Sequence, residues 1–412
     1  MRCGLLGETL GHSFSKEIHE RLGRYPYELF EVAPARLDAF LTARDFDGLN
    51  VTIPYKQAVI PYLDGMSERA AAVGAVNTVV NRGGRLWGDN TDFGGMQALV
   101  RRMGLDLRGA TVLIAGSGGT SRTAAAVAGA LGAARCVRMS RSGRDGALPY
   151  ETAYERYPDA DFLIQTTPAG MYPDVDGCAV DLTRLPKLRG VADAVYNPLA
   201  TRLVRAARAR AIPAEGGLFM LTSQAVASAE AFTGARFGAD TAERIYREFL
   251  FEKRSIVLIG MPGSGKSTLG ALLAKRLGRE LVSTDALIVQ RAGMPIPALF
   301  RTRGEACFRA LETQALRDVC RTGGKVVDTG GGAPLRPENV DLMQQNGVVV
   351  FLDRAPEELR PSPERPLADS GEKLQKLYRE RYPIYAAAAD VTVPVRAQTP
   401  EETANMVLER LR

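Results

Sequence analysis

Three groups of residues in this chain have side chains and spacings that could carry chemistry. The first is the stretch 255–268, SIVLIGMPGSGKST, where an apolar run ends in Gly260, Gly265, Lys266 and Ser267 at the G-x-x-x-x-G-K-[ST] spacing. Glycines in such a loop let backbone N–H groups turn inward onto phosphate oxygens. Gly263, Ser264, Gly265 and Thr268 are therefore expected around a nucleotide, with Lys266 on the β- and γ-phosphates and the Ser267 hydroxyl on Mg²⁺. The second group lies between residues 13 and 92. Ser13 and Ser15 offer two hydroxyls for a carboxylate, Asn50, Thr52, Asn77 and Asp92 suit vicinal hydroxyls, and Lys56 with Asp92 can exchange a proton. Together they describe a pocket for a polyhydroxy acid. The third group is Gly116, Gly118 and Gly119 in IAGSGGTSRTAAA, with Ser121 in place of the last glycine of G-x-G-x-x-G. This is a turn that brings backbone close to a pyrophosphate. At the end of the next strand, where an NAD site has a carboxylate, the chain reads Arg138-Met139-Ser140-Arg141-Ser142. Ser140, Arg141 and Ser142 supply charge and donors for a 2′-phosphate, which predicts NADP(H).

The elements that must position these groups are strands feeding helices. Ile256–Ile259 reads as a buried parallel strand followed by a helical pattern over 268–277, and Val112–Ala115 as a strand followed by an Ala-rich helix. Strand and helix alternate as far as Leu99, a long helical pattern begins near Gly216, and Phe237 to Glu252 is amphipathic. That last helix runs into the strand at Ile256 without a Pro- or Gly/Ser-rich linker, so the two halves are expected to be held near each other.

With 412 residues the chain exceeds one ordinary core, and two or three domains are expected. The net charge of +6 comes from dispersed arginines, without the basic block interleaved with aromatics that tracks a nucleic-acid backbone. Anionic small molecules are the expected partners. Five scattered cysteines without C-x-x-C spacing argue against a disulfide framework or zinc cluster, and the absence of a leader or a long apolar run places the protein in the cytoplasm, away from membranes. Both histidines, His12 and His19, lie near the N-terminus. The second half must therefore work with carboxylates, Lys, Arg and metal.

The clusters GHSFS (11–15), GLNVTIPYK (48–56), GAVNT (74–78) and GDNTD (88–92) resemble, in order and spacing, the signature set of shikimate dehydrogenases. The resemblance implies that Lys56 and Asp92 carry the proton exchanged with the C3 oxygen of the substrate while a nicotinamide exchanges hydride. It implies further that Tyr196 and Gln224 reach the substrate, and that Met220 lies near the nicotinamide. Lys16, Glu20 and Gln165 depart from the usual pattern, and Asp92 has a local alternative as N-cap of a helix beginning at Phe93.

After the phosphate loop, Ser283-Thr284-Asp285, GEACFR (304–309), DTGGG (328–332), Arg365-Pro366-Leu367 and RYPIY (381–385) resemble shikimate kinase. By that resemblance Asp285 accepts a hydrogen bond from the C3 hydroxyl, Arg309 and Arg381 clamp the carboxylate, Gly331 offers its backbone, and Arg365 closes over the phosphates from a short, proline-rich lid. Ser283 stands where the family has an Asp that supports hydrated Mg²⁺. Asp328, at the end of the strand leading to the glycine triplet, is expected to take over that role.

The fold expected is α/β throughout: a two-lobed dehydrogenase with a Rossmann-type NADP lobe, then a P-loop kinase domain with a parallel sheet. Its boundaries are 1–100 plus 224–252 for the substrate lobe, 101–223 for the NADP lobe and 253–412 for the kinase. The function expected is reduction of 3-dehydroshikimate by NADPH, then phosphorylation of shikimate by MgATP. The alternative is a quinate/shikimate dehydrogenase fused to a kinase-like domain that binds nucleotide without catalysis.

Overall fold

The structure is a computed structural model that describes residues 1–11, 13–359, 371–396 and 398–411. It divides into two compact units, Met1–Phe249 and Leu250–Arg412, with the division inside the helix Thr241–Lys253.

The first unit contains two six-stranded sheets. One is built from β1 (Cys3–Gly7), β2 (Tyr27–Glu31), β3 (Gly48–Val51), β4 (Gly65–Met66), β5 (Thr78–Arg82) and β6 (Arg85–Asp89), in the order β2-β1-β3-β5-β6-β4. β1 is parallel to β2 and β3, whereas β3, β5 and β6 run antiparallel. The β5–β6 hairpin turns through Gly83 and Gly84, whose φ values of 60° and 84° give the left-handed pair that matches strand twist.

The other sheet comprises β7 (Thr111–Ala115), β8 (Arg135–Ser140), β9 (Leu148–Pro149), β10 (Phe162–Gln165), β11 (Gly190–Asp193) and β12 (Ala214–Glu215). All neighbours are parallel in the order β12-β11-β10-β7-β8-β9, a doubly wound sheet whose direction of winding reverses between β7 and β10. Loops diverge at such a reversal and leave a crevice at the strand ends. Gly116 opens the turn there, with Thr166 of the β10 end close against it. Helix Leu218–Thr233 serves both sheets. Met220 is in the apolar cluster of the second lobe with Val112 and Ile114, and Phe232 packs on Gly48 of the first, where a Cβ would collide with the ring.

The second unit has one parallel sheet: β13 (Ser255–Ile259), β14 (Leu281–Ser283), β15 (Val326–Asp328), β16 (Gly347–Arg354) and β17 (Val391–Val395), in the order β14-β15-β13-β16-β17. Its strands read as nearly continuous apolar runs because both faces are covered. Val257, Ile259, Val327, Val349 and Phe351 enter one apolar cluster, while Ile256, Leu258, Val326, Val348, Val350 and Leu352 enter the other. The two-residue alternation places Asp328 on the second of these faces, toward helix Lys266–Leu277, where a Cβ on Gly270 would lie 3.9 Å from its own Cβ.

Candidate active sites

Lys56 follows β3, and its Nζ donates to Asp92 Oδ2 at 2.5 Å, the two side chains being 16% and 10% exposed. Asp92 projects from the first turn of helix Thr91–Arg102. It is not the N-cap. Asn90 is, its side chain accepting from the Phe93 N–H at 3.1 Å, which leaves the Asp92 carboxylate to Lys56. A neutral network lies beside the ion pair. Asn77 Oδ1 accepts from the Thr91 N–H at 2.7 Å, and Asn77 Nδ2 and Thr91 Oγ1 reach Gln224 Oε1 at 3.4 and 3.3 Å. Gln224 thus comes from the far end of the unit's sequence to the Lys56 site.

Asn50 is placed differently from Asn77. It is 4% exposed, donates to Ser228 Oγ at 2.7 Å and accepts from the Tyr27 hydroxyl at 2.7 Å, whereas the 3% exposed Asn77 is held by Thr91 and Gln224. Thr52 is half-buried. Ser13 Oγ accepts from the Ser15 N–H at 3.2 Å, and Ser15 is buried. Tyr196 joins them: its ring lies 5.3 Å from that of Phe14, and burial raises its phenol above the ordinary range against a hydrogen bond with Ser13. His19 stacks on Tyr27 at 4.0 Å, and burial lowers it to about 3, so it stays neutral. Lys16 and Glu20, both departures from the expected pattern, pair with each other at 3.0 Å one helical turn apart.

At the glycine turn, Gly116 has φ +135° and Gly118 caps helix Gly119–Ala130 without a side-chain hydrogen bond. No side chain of the cap occupies its first N–H groups, which suits a pyrophosphate. A Cβ on Gly119 would lie 3.3 Å from Ala75 Cβ and 3.7 Å from Lys56 Cβ, so the turn abuts the loop that carries the ion pair. Ser121 is fully buried and donates to the Gly118 carbonyl at 2.7 Å, doing with a hydrogen bond what a third glycine does by close approach. Past β8, Ser140 Oγ accepts from the Gly143 N–H and Ser142 Oγ from the Arg144 N–H, shaping the turn. Arg141 stands exposed on it. Met220 is 6% exposed in the apolar core.

In the second unit, Gly263 and Gly265 have φ values of 84° and 97°, conformations open to glycine at no steric cost. Lys266 Nζ donates to the carbonyls of Gly260 and Met261, both at 3.0 Å. Ser264 is 1% exposed and its Oγ has no hydrogen-bond partner among the described residues, a buried donor that a phosphate oxygen would satisfy. Ser267 and Thr268 are exposed on the first helical turn.

The substrate side lies over β14 and β15. Asp285 is in the first turn of helix Thr284–Ala292, capped by Ser283, whose Oγ accepts from the Ala286 N–H at 3.3 Å. Gly330 packs against it: a Cβ there would stand 2.7 Å from Asp285 Oδ1 and 3.1 Å from Glu312 Oε1. Gly304, at φ 77° and ψ 170°, breaks the long helix Ile296–Cys320 and starts the segment bearing Arg309. Arg309 lies over Gly332 and pairs with Glu312 at 2.8 Å and Glu305 at 3.1 Å. Arg381 donates to the Gly331 carbonyl at 3.0 Å, and the Tyr385 hydroxyl donates to the same oxygen. Asp285, Arg309, Gly331 and Arg381 are therefore brought together around the glycine triplet. Arg365 and its lid lie outside the described residues.

Glu312 was missed by the reading of the sequence, although it follows Arg309 by three residues and helical spacing puts the two on one face. It is fully buried; burial raises its carboxyl, and the Arg309 guanidinium opposes the shift.

Comparison with known proteins agrees with this division. Residues 5–79 match the family model "Shikimate dehydrogenase substrate binding domain", and residues 262–412 match the model "Shikimate kinase". A shikimate dehydrogenase (NADP(+)) of Clostridium perfringens is 33% identical over 269 residues, 60% of this chain and 97% of the relative. A shikimate kinase of Dehalococcoides mccartyi is 40% identical over 166 residues, 39% of this chain and 94% of the relative. The crystal structure of shikimate 5-dehydrogenase from Thermus thermophilus, in complex with NADP(H) and shikimate, superposes with a TM-score of 0.54 at 30% identity, covering 60% of this chain and 99% of that one. By its first unit the chain belongs to the shikimate dehydrogenase family and by its second to the shikimate kinase family, which makes it a fusion of two enzymes of the shikimate pathway.

Proposed function

We propose that the first unit reduces 3-dehydroshikimate to shikimate with NADPH and that the second phosphorylates the new C3 hydroxyl with MgATP. The observation that carries this reading is the presence, in one chain, of two chemically distinct sets of groups. One is an acid/base ion pair beside a dinucleotide turn; the other is a phosphate loop on the same sheet edge as Asp285, Arg309 and Arg381.

NADPH supplies the hydride of the first step, and MgATP the phosphoryl group of the second. Ser13 and Ser15, with the Tyr196 hydroxyl, hold the substrate carboxylate, while Thr52, Asn77 and Gln224 hold the ring hydroxyls. Asn50 joins Thr52, Asn77 and Gln224 in holding the ring hydroxyls. Lys56 gives its proton to the C3 oxygen as the alkoxide develops, Asp92 keeps the ammonium in place, and a proton from solvent restores the lysine after turnover. Gly116, Gly118 and Gly119 receive the pyrophosphate of NADPH, and Arg141 its 2′-phosphate. In the kinase, Arg309 and Arg381 fix the shikimate carboxylate, Asp285 accepts from the attacking hydroxyl, and Lys266 follows charge onto the transferred phosphoryl group. Ser267 ligates Mg²⁺, and Asp328, on the sheet face next to the helix that bears Ser267, holds its waters. The substrates are small molecules and the proposed location is the cytoplasm; no helix among the described residues is long and apolar enough to cross a membrane.

The test supplies purified full-length chain with 3-dehydroshikimate, NADPH and MgATP. Shikimate 3-phosphate should form, and Lys266→Ala should abolish it while NADPH consumption persists. Shikimate accumulating in the wild type without phosphate transfer would overturn the second half of the reading. Asp328→Asn should weaken Mg²⁺ dependence of the same assay, and an unchanged Mg²⁺ titration would remove Asp328 from the metal site.

A further inference from the structure

We propose that Arg354 is a nucleotide-binding residue of the kinase unit, holding the phosphate nearest the nucleoside. The inference rests on the reading of that unit as an ATP-dependent kinase and goes beyond it in naming a group for the α-phosphate. The sheet order β14-β15-β13-β16-β17 supplies the direction. Acceptor groups stand at one end of the C-terminal edge: Asp285 just past β14, and Gly330 to Gly332 with Arg309 and Arg381 past β15. The phosphate loop follows β13, next in line. A nucleotide whose terminal phosphate faces the acceptor across Lys266 must run its α-phosphate and nucleoside the other way, over β16 and β17.

Arg354 is the last residue of β16. Gly260 is level with Leu352 of that strand, a Cβ on it lying 2.9 Å from the Leu352 carbonyl, so Arg354 extends beyond the start of the loop. Its Nη2 is 3.9 Å from a Cβ built on Gly265, the residue that caps the phosphate-binding helix. Among the described residues the guanidinium has few partners. Its Nε is buried without a hydrogen-bond partner among the described residues, and its ion pair with Glu358 is long, at 3.9 Å. The neighbouring Asp353 carboxylate is 3.6 Å from Arg396 Nη2 and accepts from the Tyr378 hydroxyl at 3.4 Å. A planar cation with a spare donor beside a phosphate loop suits a phosphate group, two of whose oxygens can accept parallel N–H bonds from arginine.

The experiment measures Mg·ADP and shikimate binding to the full-length chain by calorimetry. Arg354→Ala should weaken ADP by about ten- to thirtyfold, the loss of one charge-assisted contact, with shikimate affinity and 3-dehydroshikimate reduction unchanged. Arg354→Lys should recover part of the loss, and the gap between wild type and Arg354→Ala should narrow as salt rises, since a charge contact is screened and a packing effect is not. Wild type and both variants binding ADP equally would overturn the proposal. So would an ADP loss independent of salt and unrescued by lysine, which assigns Arg354 to the Glu358 contact alone. A wild type that binds no ADP, matching the Lys266→Ala control, would instead overturn the kinase reading on which the proposal stands.

Discussion

The two lysines at the centres of the two sites are held by opposite kinds of partner. Lys56 meets the carboxylate of Asp92 at 2.5 Å, whereas Lys266 donates to two main-chain carbonyls of its own loop at 3.0 Å. A carboxylate keeps an ammonium in a fixed pose and can take up or return a proton, which is what a reduction at a ketone needs. Neutral carbonyls bind an ammonium without cancelling its charge, so these two contacts can be exchanged for contacts to phosphate oxygens. The surroundings follow the same division. Around Lys56 the groups are amides and hydroxyls, while around the glycine triplet Arg309 and Arg381 stand with the carboxylates of Asp285 and Glu312. On the proposed reading one site places a proton, and the other sets an anionic substrate against a phosphate loop.

The sharpest way to break this comparison is Lys56→Met. It should lower turnover of 3-dehydroshikimate by about 10²- to 10⁴-fold, the usual worth of a general acid, and leave shikimate phosphorylation by the same preparation intact. A parallel loss of both activities would mean that the two sites do not act separately. Next is Gly330→Ala, which places a methyl 2.7 Å from Asp285 Oδ1 and 3.1 Å from Glu312 Oε1. Displacing the acceptor-side carboxylate by even part of an ångström should cost kinase turnover about 10- to 100-fold, with NADPH oxidation unaffected. Unchanged kinase kinetics would show that Asp285 does not need its present position.

Arg141→Ala tests whether the neutral site also has one anion-binding corner. The KM for NADPH should rise about tenfold, with that for NADH unmoved, as expected for losing a charged hydrogen bond of about 1.5–3 kcal/mol. Equal preference in wild type and variant would take the 2′-phosphate away from Arg141.

The smallest effect concerns Asp193. It is fully buried, accepts from the Val195 N–H at 2.9 Å and the Thr201 hydroxyl at 2.6 Å, and burial raises its carboxyl to about 7. Unlike Glu312, it has no arginine among those partners. Between an ordinary carboxyl pKa of about 4 and 7, the unfolded chain has released this proton and the native protein has not, so stability falls as pH rises, by at most about 1.4 kcal/mol per unit. Above 7 both states are ionised and the slope ends. Asp193→Asn should therefore gain in melting temperature relative to wild type from pH 5 to pH 7, then run parallel to it. A constant difference across that range would mean that Asp193 is ionised in the native state at pH 5.

Much of both sites was legible because their residues stand in short local motifs. Gly263 and Gly265 announce a left-handed loop, and Lys56 within NVTIPYK announces a pocket, since the backbone states and reach involved are set by neighbours in sequence. The parallel kinase sheet was legible in Ile256–Ile259, because a strand buried on both faces has no polar side to show. Residue order alone thus established which chemistry each half has the groups to perform. Which polar residues spend themselves on the protein was settled only by the packing of the folded chain. Asn50 and Asn77 look alike in a motif, yet Asn50 is held by Tyr27 and Ser228 while Asn77 is held by Thr91 and Gln224. Asn90, not Asp92, caps its helix, and Arg354 ends up beside a loop that begins ninety-four residues earlier, at Gly260. The cause is the same in each case. A buried polar atom must find a partner somewhere, and that partner is fixed by which strands and helices pack together, information that spacing along the chain does not contain.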